Sequence, residues 1–310
     1  MTLQQLEYIL ALETYRHFVT AAEHCHVTQP TLTMQVQKLE EEMGTLLFNR
    51  KKQPLEPTKA GEQILLKARQ IIREVNQLKE MVSNEKEDLA GTFRIGVIPT
   101  VAPYLIPLFA GEFIKSHPRI QFHVEEMKSS DIIVGLKNDK LDIGILATPL
   151  SENQLREVPL YYEPFLLYVS PSHSLYKKKI IQTKDVRQEG LWILNQGHCF
   201  RSQVLNICNY RTEDSHTNGL KYESGSIETL KRLIDHNSGY TLVPELSVNQ
   251  DTEKKLVRRF EEPQPVREIS LVTHNSFTKE VLLDELRKSI LLKVPSTFKK
   301  NKRFYTVKWR

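Results

Sequence analysis

Thr28-Gln29-Pro30-Thr31-Leu32-Thr33-Met34-Gln35-Val36-Gln37-Lys38-Leu39-Glu40-Glu41-Glu42-Met43-Gly44 reads as one helix with two different faces. Thr28 supplies a side-chain cap, and Pro30 is tolerated because first-turn amides lack intrahelical partners. Leu32, Val36, Leu39 and Met43 recur at helical intervals and predict a buried stripe, which Gly44 terminates. The opposite face carries Gln29, Thr31, Thr33, Gln35 and Lys38, polar groups able to reach base edges and phosphates in a major groove. Upstream, Leu3, Leu6, Ile9, Leu10 and Ala11 predict a first helix that breaks near residues 15–17, and a short second helix follows over 20–25. Small Ala21 and Ala22 let two helices cross closely, so the three together predict a helix-turn-helix. Cys25 falls on its core face and is expected to be a buried structural thiol.

Downstream, Leu46-Leu47-Phe48, then Arg50-Lys51-Lys52 and the stretch from Pro54 to Pro57, predict a short hairpin wing whose cations grip phosphate. The candidate DNA contacts are therefore Thr28, Gln29, Pro30, Thr31, Thr33, Gln35 and Lys38 on the helix, with Arg50 and Lys51 on the wing. Beyond Thr58, Ile64, Ala68, Ile71, Val75, Leu78 and Val82 alternate intervals of four and three, which is a heptad seam. A helix over 60–88 would be roughly 40 Å long, too long and too one-sided to be covered by a ninety-residue domain. A second copy is expected to cover it, and a dimer places two reading heads on a palindromic site.

The 310 residues leave room for several domains with cores of their own. The net charge of +5 is not evidence for DNA, because the carboxyl-terminal tail from residue 294 holds Lys299, Lys300, Lys302, Arg303, Lys308 and Arg310 without an acid. That tail is expected to be a solvated or partly ordered end without a function. No apolar run approaches the ~20 residues that cross a bilayer, and Glu7 and Glu13 interrupt the segment where a secretory signal would be apolar. A cytoplasmic protein without membrane contact is expected. Three cysteines are too few for a disulfide framework, so any disulfide is expected to be transient.

After a hinge at Leu89-Ala90-Gly91 the pattern changes to alternating strands and helices. Strands are predicted over 93–98, 120–124 and 141–146 with a helix over 105–114, then strands over 165–169, 191–194 and 240–243 with a helix over 226–236. A strand over 269–272 and a helix over 279–292 return to the first set. The expected fold class is thus α/β, two α/β lobes enclosing a cleft behind the helix-turn-helix and its linker helix. Domain limits follow: 1–58 for the DNA-binding domain, 59–91 for linker and hinge, and 92–295 for the regulatory domain. Within the last, lobe I takes about 92–163 and 268–295, lobe II about 164–267, and 296–310 is the basic tail. Ligands of open sheets bind beyond the strands' carboxyl ends, which puts Pro99-Thr100-Val101 and Met127-Lys128-Ser129 at the cleft mouth.

The second decisive stretch is Gly197-His198-Cys199-Phe200-Arg201-Ser202-Gln203-Val204-Leu205-Asn206-Ile207-Cys208. Residues 201–209 read as helical, with Val204, Leu205 and Cys208 on one apolar stripe. On a continuous helix the two cysteines would be about 13.5 Å apart, whereas a disulfide needs about 4.4–6.8 Å between Cα atoms. Bonding therefore demands refolding, which is the kind of two-state element a switch uses. His198, Arg201 and a helix amino terminus are the expected activators of the Cys199 thiolate. Attack on peroxide then gives a sulfenic acid that Cys208 condenses with. The residues alone leave other readings open: inert core thiols in a metabolite-sensing regulator, a thiol peroxidase, and a zinc site from His198, Cys199, Cys208 and His216, whose spacing follows no known zinc pattern.

Phe18-Val19-Thr20-Ala21-Ala22-Glu23, Val27-Thr28-Gln29-Pro30-Thr31-Leu32-Thr33, Gly44-Thr45-Leu46-Leu47-Phe48-Asn49-Arg50 and Thr58-Lys59-Ala60-Gly61 resemble the LysR-type transcriptional regulators. The resemblance implies a winged helix-turn-helix, a dimerising linker helix and a two-lobed periplasmic-binding-protein-like effector domain, assembled from homodimers into a homotetramer. Ile98-Pro99-Thr100-Val101-Ala102-Pro103-Tyr104-Leu105, Glu163-Pro164, Gly197-His198-Cys199-Phe200-Arg201, Cys208 and Glu228-Thr229-Leu230 are similar to the hydrogen-peroxide sensors of that group, the OxyR subgroup. That narrower resemblance implies a peroxide-reacting Cys199, a resolving Cys208, and a pocket with Thr100, Ser129, His198 and Arg267. It also implies control of antioxidant genes at double-stranded promoter DNA, recruitment of RNA polymerase, hydrogen peroxide as effector, and neither cofactor nor metal. Two positions depart from the subgroup: Ser202 stands where an acid is common, and Ser129 where threonine is common.

Overall fold

The computed structural model describes residues 1–80, 89–187, 189–208, 222, 224–299 and 303–309. The chain forms two compact units, Met1–Glu85 and Lys86–Arg310.

In the first unit α1 (Leu3–Tyr15) opens with a reciprocal cap between Thr2 and Gln5, and α2 (Phe18–His24) crosses it through buried Ala21 and Ala22. The third helix, α3 (Gln29–Met43), starts at Thr28, whose hydroxyl accepts from the Thr31 amide, and ends at Gly44 with φ 66°. Leu32, Val36 and Leu39 are buried as expected, but Met43 is 37% exposed. Glu40 takes the buried place, because the chain turns back after Gly44 and lays Leu47 and Phe48 over that end of the helix. Its Oε1 accepts from the Leu47 amide (2.8 Å), and its Oε2 accepts from Arg50 (2.6 Å). Cys25 is half-buried rather than fully enclosed, since it sits at the turn that caps α2.

The wing is the antiparallel pair β1 (Phe48–Asn49) and β2 (Glu56–Pro57). Helix α4 (Lys59–Glu80) follows, and its first turns pack inward: Leu65 and Ala68 are buried in this unit's own core, and Arg69 pairs with Glu13. Ala68 thus departs from the expected outward seam, because α1 already covers that side of the helix. Ile64 and Val75 are half-buried, while Ile71 and Leu78 are exposed, Leu78 at 65%. Val82, and the expected continuation of the helix toward residue 88, lie outside the described residues.

The second unit runs β3 (Gly91–Val97), α5 (Ala102–Ser116), β4 (Ile120–Glu126), α6 (Ser129–Lys137), β5 (Ile143–Thr148), β6 (Leu155–Val169) and β7 (Ile180–Ile181). It continues with α7 (Cys199–Cys208), α8 (Ile227–His236), β8 (Tyr240–Pro244), β9 (Val257–Phe260), β10 (Gln264–His274), α9 (Glu280–Lys293) and β11 (Phe304–Thr306). The strand order is β4-β3-β5-β10-β6-β9-β7, with β8 on β6 and β11 on β10. Two cores flank this sheet. One gathers Leu105, Ile132, Leu146, Leu271 and Leu286; the other gathers Leu167, Leu194, Val204, Leu230 and Leu242.

In the first lobe β4, β3 and β5 form the expected parallel set, and in the second the short β7 pairs in parallel with β9; β6 and β10 are long antiparallel strands that run through both lobes. The sequence predicts only residues 165–169 of β6, because Pro159 and Pro164 interrupt the pattern. The structure accommodates Pro159 at a register shift opposite Ile269 and Ser270. The predicted strand over 191–194 is a single bridge, Leu191 to Tyr240, after which the Trp192 carbonyl accepts from the Thr241 hydroxyl, the Leu194 carbonyl from Arg201, and the Asn195 amide donates to the Ser224 carbonyl. The tail, expected to be a solvated or partly ordered end, carries β11 in parallel on β10, with Val307 buried in the second core.

Candidate functional site

The carboxyl ends of β3, β4 and β5 converge, and each contributes to one small site. Thr100 follows β3, Ser129 starts α6 after β4, and Ala147 lies near the end of β5. Cys199 is the first residue of α7 and is 3% exposed. The turn before it needs Gly197, which has φ 93° and lies against the Lys128 methylenes at 3.1–3.3 Å measured from where a Cβ would stand. That conformation is strained for any residue with a side chain.

Arg267 from β10 organises the site. It is 1% exposed, donates from Nε and Nη2 to Glu163 Oε2 (2.9 and 2.7 Å), and donates from Nη1 to Thr100 Oγ1 (2.8 Å) and from Nη2 to the Thr100 carbonyl (2.9 Å). Its guanidinium also stands 5.3 Å from the centre of the Phe200 ring on α7. The second oxygen of Glu163 accepts from the Leu246 amide (2.8 Å). Burial pushes the Glu163 carboxyl up, and Arg267 and that amide pull it back.

Burial likewise pushes the Cys199 thiol up; Ser129, Arg267 and the amides of Phe200 and Ala147 oppose it. The Ser129 hydroxyl is close enough to favour a thiolate, yet it is buried without a well-formed hydrogen bond of its own. A small molecule with both donors and acceptors would satisfy it. His198, 8% exposed, is pushed down by burial first and by Lys128 second, so it is held toward the neutral imidazole. Arg201 donates to the Leu194 carbonyl (2.8 Å) and is not among the groups that act on the Cys199 thiol. The charge next to that thiol is Arg267, far away in sequence.

Cys208 closes the same helix, buried in the second core and pushed up by burial to about 12. Helical rise over nine residues puts the Cα atoms of the two cysteines about 13.5 Å apart, well beyond the span of a disulfide. All three cysteines are free. The same separation prevents Cys199 and Cys208 from sharing one metal ion while α7 is helical, and His216 lies outside the described residues. Among the described residues no group of three or more His, Cys, Asp and Glu is placed to hold a metal.

Sequence reading missed Glu163 as the partner of Arg267. The available signal was a lone acid in an otherwise apolar run, Tyr161-Tyr162-Glu163-Pro164-Phe165-Leu166-Leu167. It also missed Tyr104, whose hydroxyl donates to Glu228 Oε1 (2.9 Å) from one lobe to the other. No local pattern announces that contact.

On the first unit, Thr28, Gln29, Pro30, Lys38 and Lys51 are exposed. Thr31 shares a hydroxyl contact with Thr28 (2.8 Å), and Gln35 accepts from Gln5 (3.1 Å). The Thr33 hydroxyl is buried and has no hydrogen-bond partner, and Arg50 is held by Glu40 with its guanidinium over the Phe18 ring. Of the candidate contacts on α3, the exposed ones are therefore those of its first turn and Lys38. No described helix is long and apolar enough to cross a membrane.

Residues 3–62 match the bacterial regulatory helix-turn-helix protein, LysR family, and residues 86–290 match the LysR substrate binding domain. The chain is 34% identical to the DNA-binding transcriptional dual regulator OxyR of Escherichia coli K12, over 97% of this chain and 98% of that one. It is 36% identical to a hydrogen peroxide-inducible genes activator of Pectobacterium carotovorum, over 88% of this chain and 90% of that one. Full-length OxyR C199D from Pseudomonas aeruginosa superposes with a TM-score of 0.82 at 32% identity, covering 95% of this chain and 99% of that one. With both halves matched and the relatives aligned nearly end to end, the chain belongs to the LysR family of bacterial helix-turn-helix regulatory proteins.

Proposed function

We propose that this regulator senses hydrogen peroxide through a reversible Cys199–Cys208 disulfide and controls antioxidant promoters in the cytoplasm. The observation that carries the reading is the placement of both cysteines at opposite ends of one buried helix, with Cys199 facing a cationic, hydroxyl-lined site. The names of the relatives, peroxide-inducible activators among them, support the same chemistry.

In this reading peroxide sits against the unsatisfied Ser129 hydroxyl and the Thr100 side chain, while Arg267 favours the Cys199 thiolate. The thiolate attacks one peroxide oxygen, the O–O bond breaks, and protonation of the leaving oxygen releases water. Cys208 then displaces hydroxide from the sulfenic acid, forming the S–S bond and a second water. Two thiols have been oxidised by two electrons in all. The neutral tendency of His198 makes it a proton carrier rather than a fixed charge. Because the sulfurs meet only when α7 unwinds, oxidation rearranges the lobe that carries it, and a tetramer of such chains presents its reading heads differently to promoter DNA and RNA polymerase. The chemistry occurs once per switching event, unlike the turnover of a thiol peroxidase.

Mass spectrometry of the purified protein after equimolar peroxide tests this. The expected product is a peptide pair joined through Cys199 and Cys208, absent from Cys199→Ser. Peroxide induction that survives Cys199→Ser refutes the reading and favours a metabolite sensor with inert thiols.

A further inference from the structure

The carboxyl-terminal strand grips the helix that carries both cysteines. Gln203 and Asn206 lie three residues apart on α7, between Cys199 and Cys208, so they share one face in the stretch that has to unwind. Gln203 Nε2 donates to the Val307 carbonyl and Asn206 Nδ2 to the Lys308 carbonyl, both at 2.8 Å. Gln203 is fully buried.

The tail is itself anchored on both sides of these bonds. Phe304–Thr306 pairs in parallel with Gln264, Pro265 and Val266, just before Arg267, and the Val307 amide donates to the Val266 carbonyl (2.8 Å). Val307 packs in the second core, whereas Trp309 packs against the first and donates from its indole N–H to the Ala147 carbonyl (3.1 Å). Ala147 is the residue whose own amide faces the Cys199 sulfur. Tyr305 lies within electrostatic reach of Cys208. The six residues from Phe304 to Trp309 thus connect the peroxide site, the midpoint of α7 and the resolving cysteine.

We propose that the tail is a brace for the dithiol state, in which Gln203, Asn206 and Trp309 are positioning residues that set the thiol–disulfide balance of Cys199 and Cys208. The inference rests on the peroxide-switch reading above. A partner that binds only the helical form of α7 shifts the equilibrium toward that form, and unwinding in turn releases the partner. Two amide–carbonyl bonds, one of them buried, are together worth a factor of about ten or more in that equilibrium.

The test is a redox titration of the whole chain in glutathione buffers, following protein(SH)2 + GSSG ⇌ protein(S2) + 2 GSH by thiol trapping and mass spectrometry. A chain ending at residue 302, and the milder variants Asn206→Ala and Trp309→Phe, are compared with the wild type after their folding is checked by circular dichroism. The truncated chain is expected to favour the disulfide at least tenfold more, a midpoint about 30 mV more negative for this two-electron couple. The two substitutions are expected to move it in the same direction by less. Trypsin is expected to cut after Lys308 faster in the oxidised wild type than in the reduced one. An ordinary structural role would lower thermal stability without moving the midpoint. A wild type that crosslinks normally while all three variants keep its midpoint to within twofold in the equilibrium constant overturns the brace alone. A wild type that never crosslinks overturns the switch reading and the brace with it.

Discussion

Arg267→Met removes the cation at the centre of the site while keeping much of its volume, and its consequences can be worked out from the four hydrogen bonds Arg267 donates. Glu163 would be left fully buried with one remaining partner, the Leu246 amide. Leaving a buried charge without its partner costs about 3–5 kcal/mol. Adding Glu163→Gln removes the orphaned charge, so the double variant should recover part of that loss, a coupling of about 1.5–3 kcal/mol. The peroxide reaction separates the two singles further. Loss of Arg267 removes the charge favouring the Cys199 thiolate and should slow the reaction, whereas Glu163→Gln leaves Arg267 less neutralised and should speed it. Each pKa unit of the thiol is worth about 1.4 kcal/mol, or tenfold in the thiolate fraction below its pKa. Urea unfolding of all four proteins and stopped-flow peroxide kinetics of the folded ones measure both effects. Additivity to within about 0.5 kcal/mol, or a rate change of the same sign in both singles, would refute the reasoning.

Glu40→Ala should destabilise the first unit by about 2–4 kcal/mol and weaken DNA binding. It strands the Leu47 and Phe48 amides and frees Arg50 from its place in the wing, and a loss below about 1 kcal/mol by urea unfolding would contradict this. Leu78→Glu puts a charge on the exposed face of α4 and should shift sedimentation toward smaller species with no change in helix content; an unchanged sedimentation profile would remove α4 from the interface. For pH, both site thiols are raised in the folded chain, so folding prefers their neutral forms. Their contribution to stability is full below the ordinary thiol value of about 8.5. It is lost as pH rises, for Cys208 toward about 12. The rate of Cys199 with peroxide should correspondingly keep climbing beyond pH 8.5, and a plateau near pH 6 would show a lowered thiol instead.

The sequence by itself determined the local elements and the chemistry they carry. Thr28 and Gly44 bracket α3 because capping and left-handed termination are properties of single residues, and the stripe of Leu32, Val36 and Leu39 follows from helical period alone. The two cysteines were legible for the same reason, since a helix fixes the distance between its ends. What only tertiary structure decided is which distant groups meet. Arg201, a neighbour of Cys199 in sequence, turns to the Leu194 carbonyl, and Arg267 arrives from a strand that no local pattern ties to the thiol. Met43 yields its buried place to Glu40 because the wing folds back over that turn. A tail that reads as a basic, solvated end becomes a strand on β10 because its alternation finds an open edge and its carbonyls find Gln203 and Asn206. Backbone preference is encoded within a few residues, but pairing across a sheet or a cleft depends on which surfaces the whole chain leaves free, and that is set by packing.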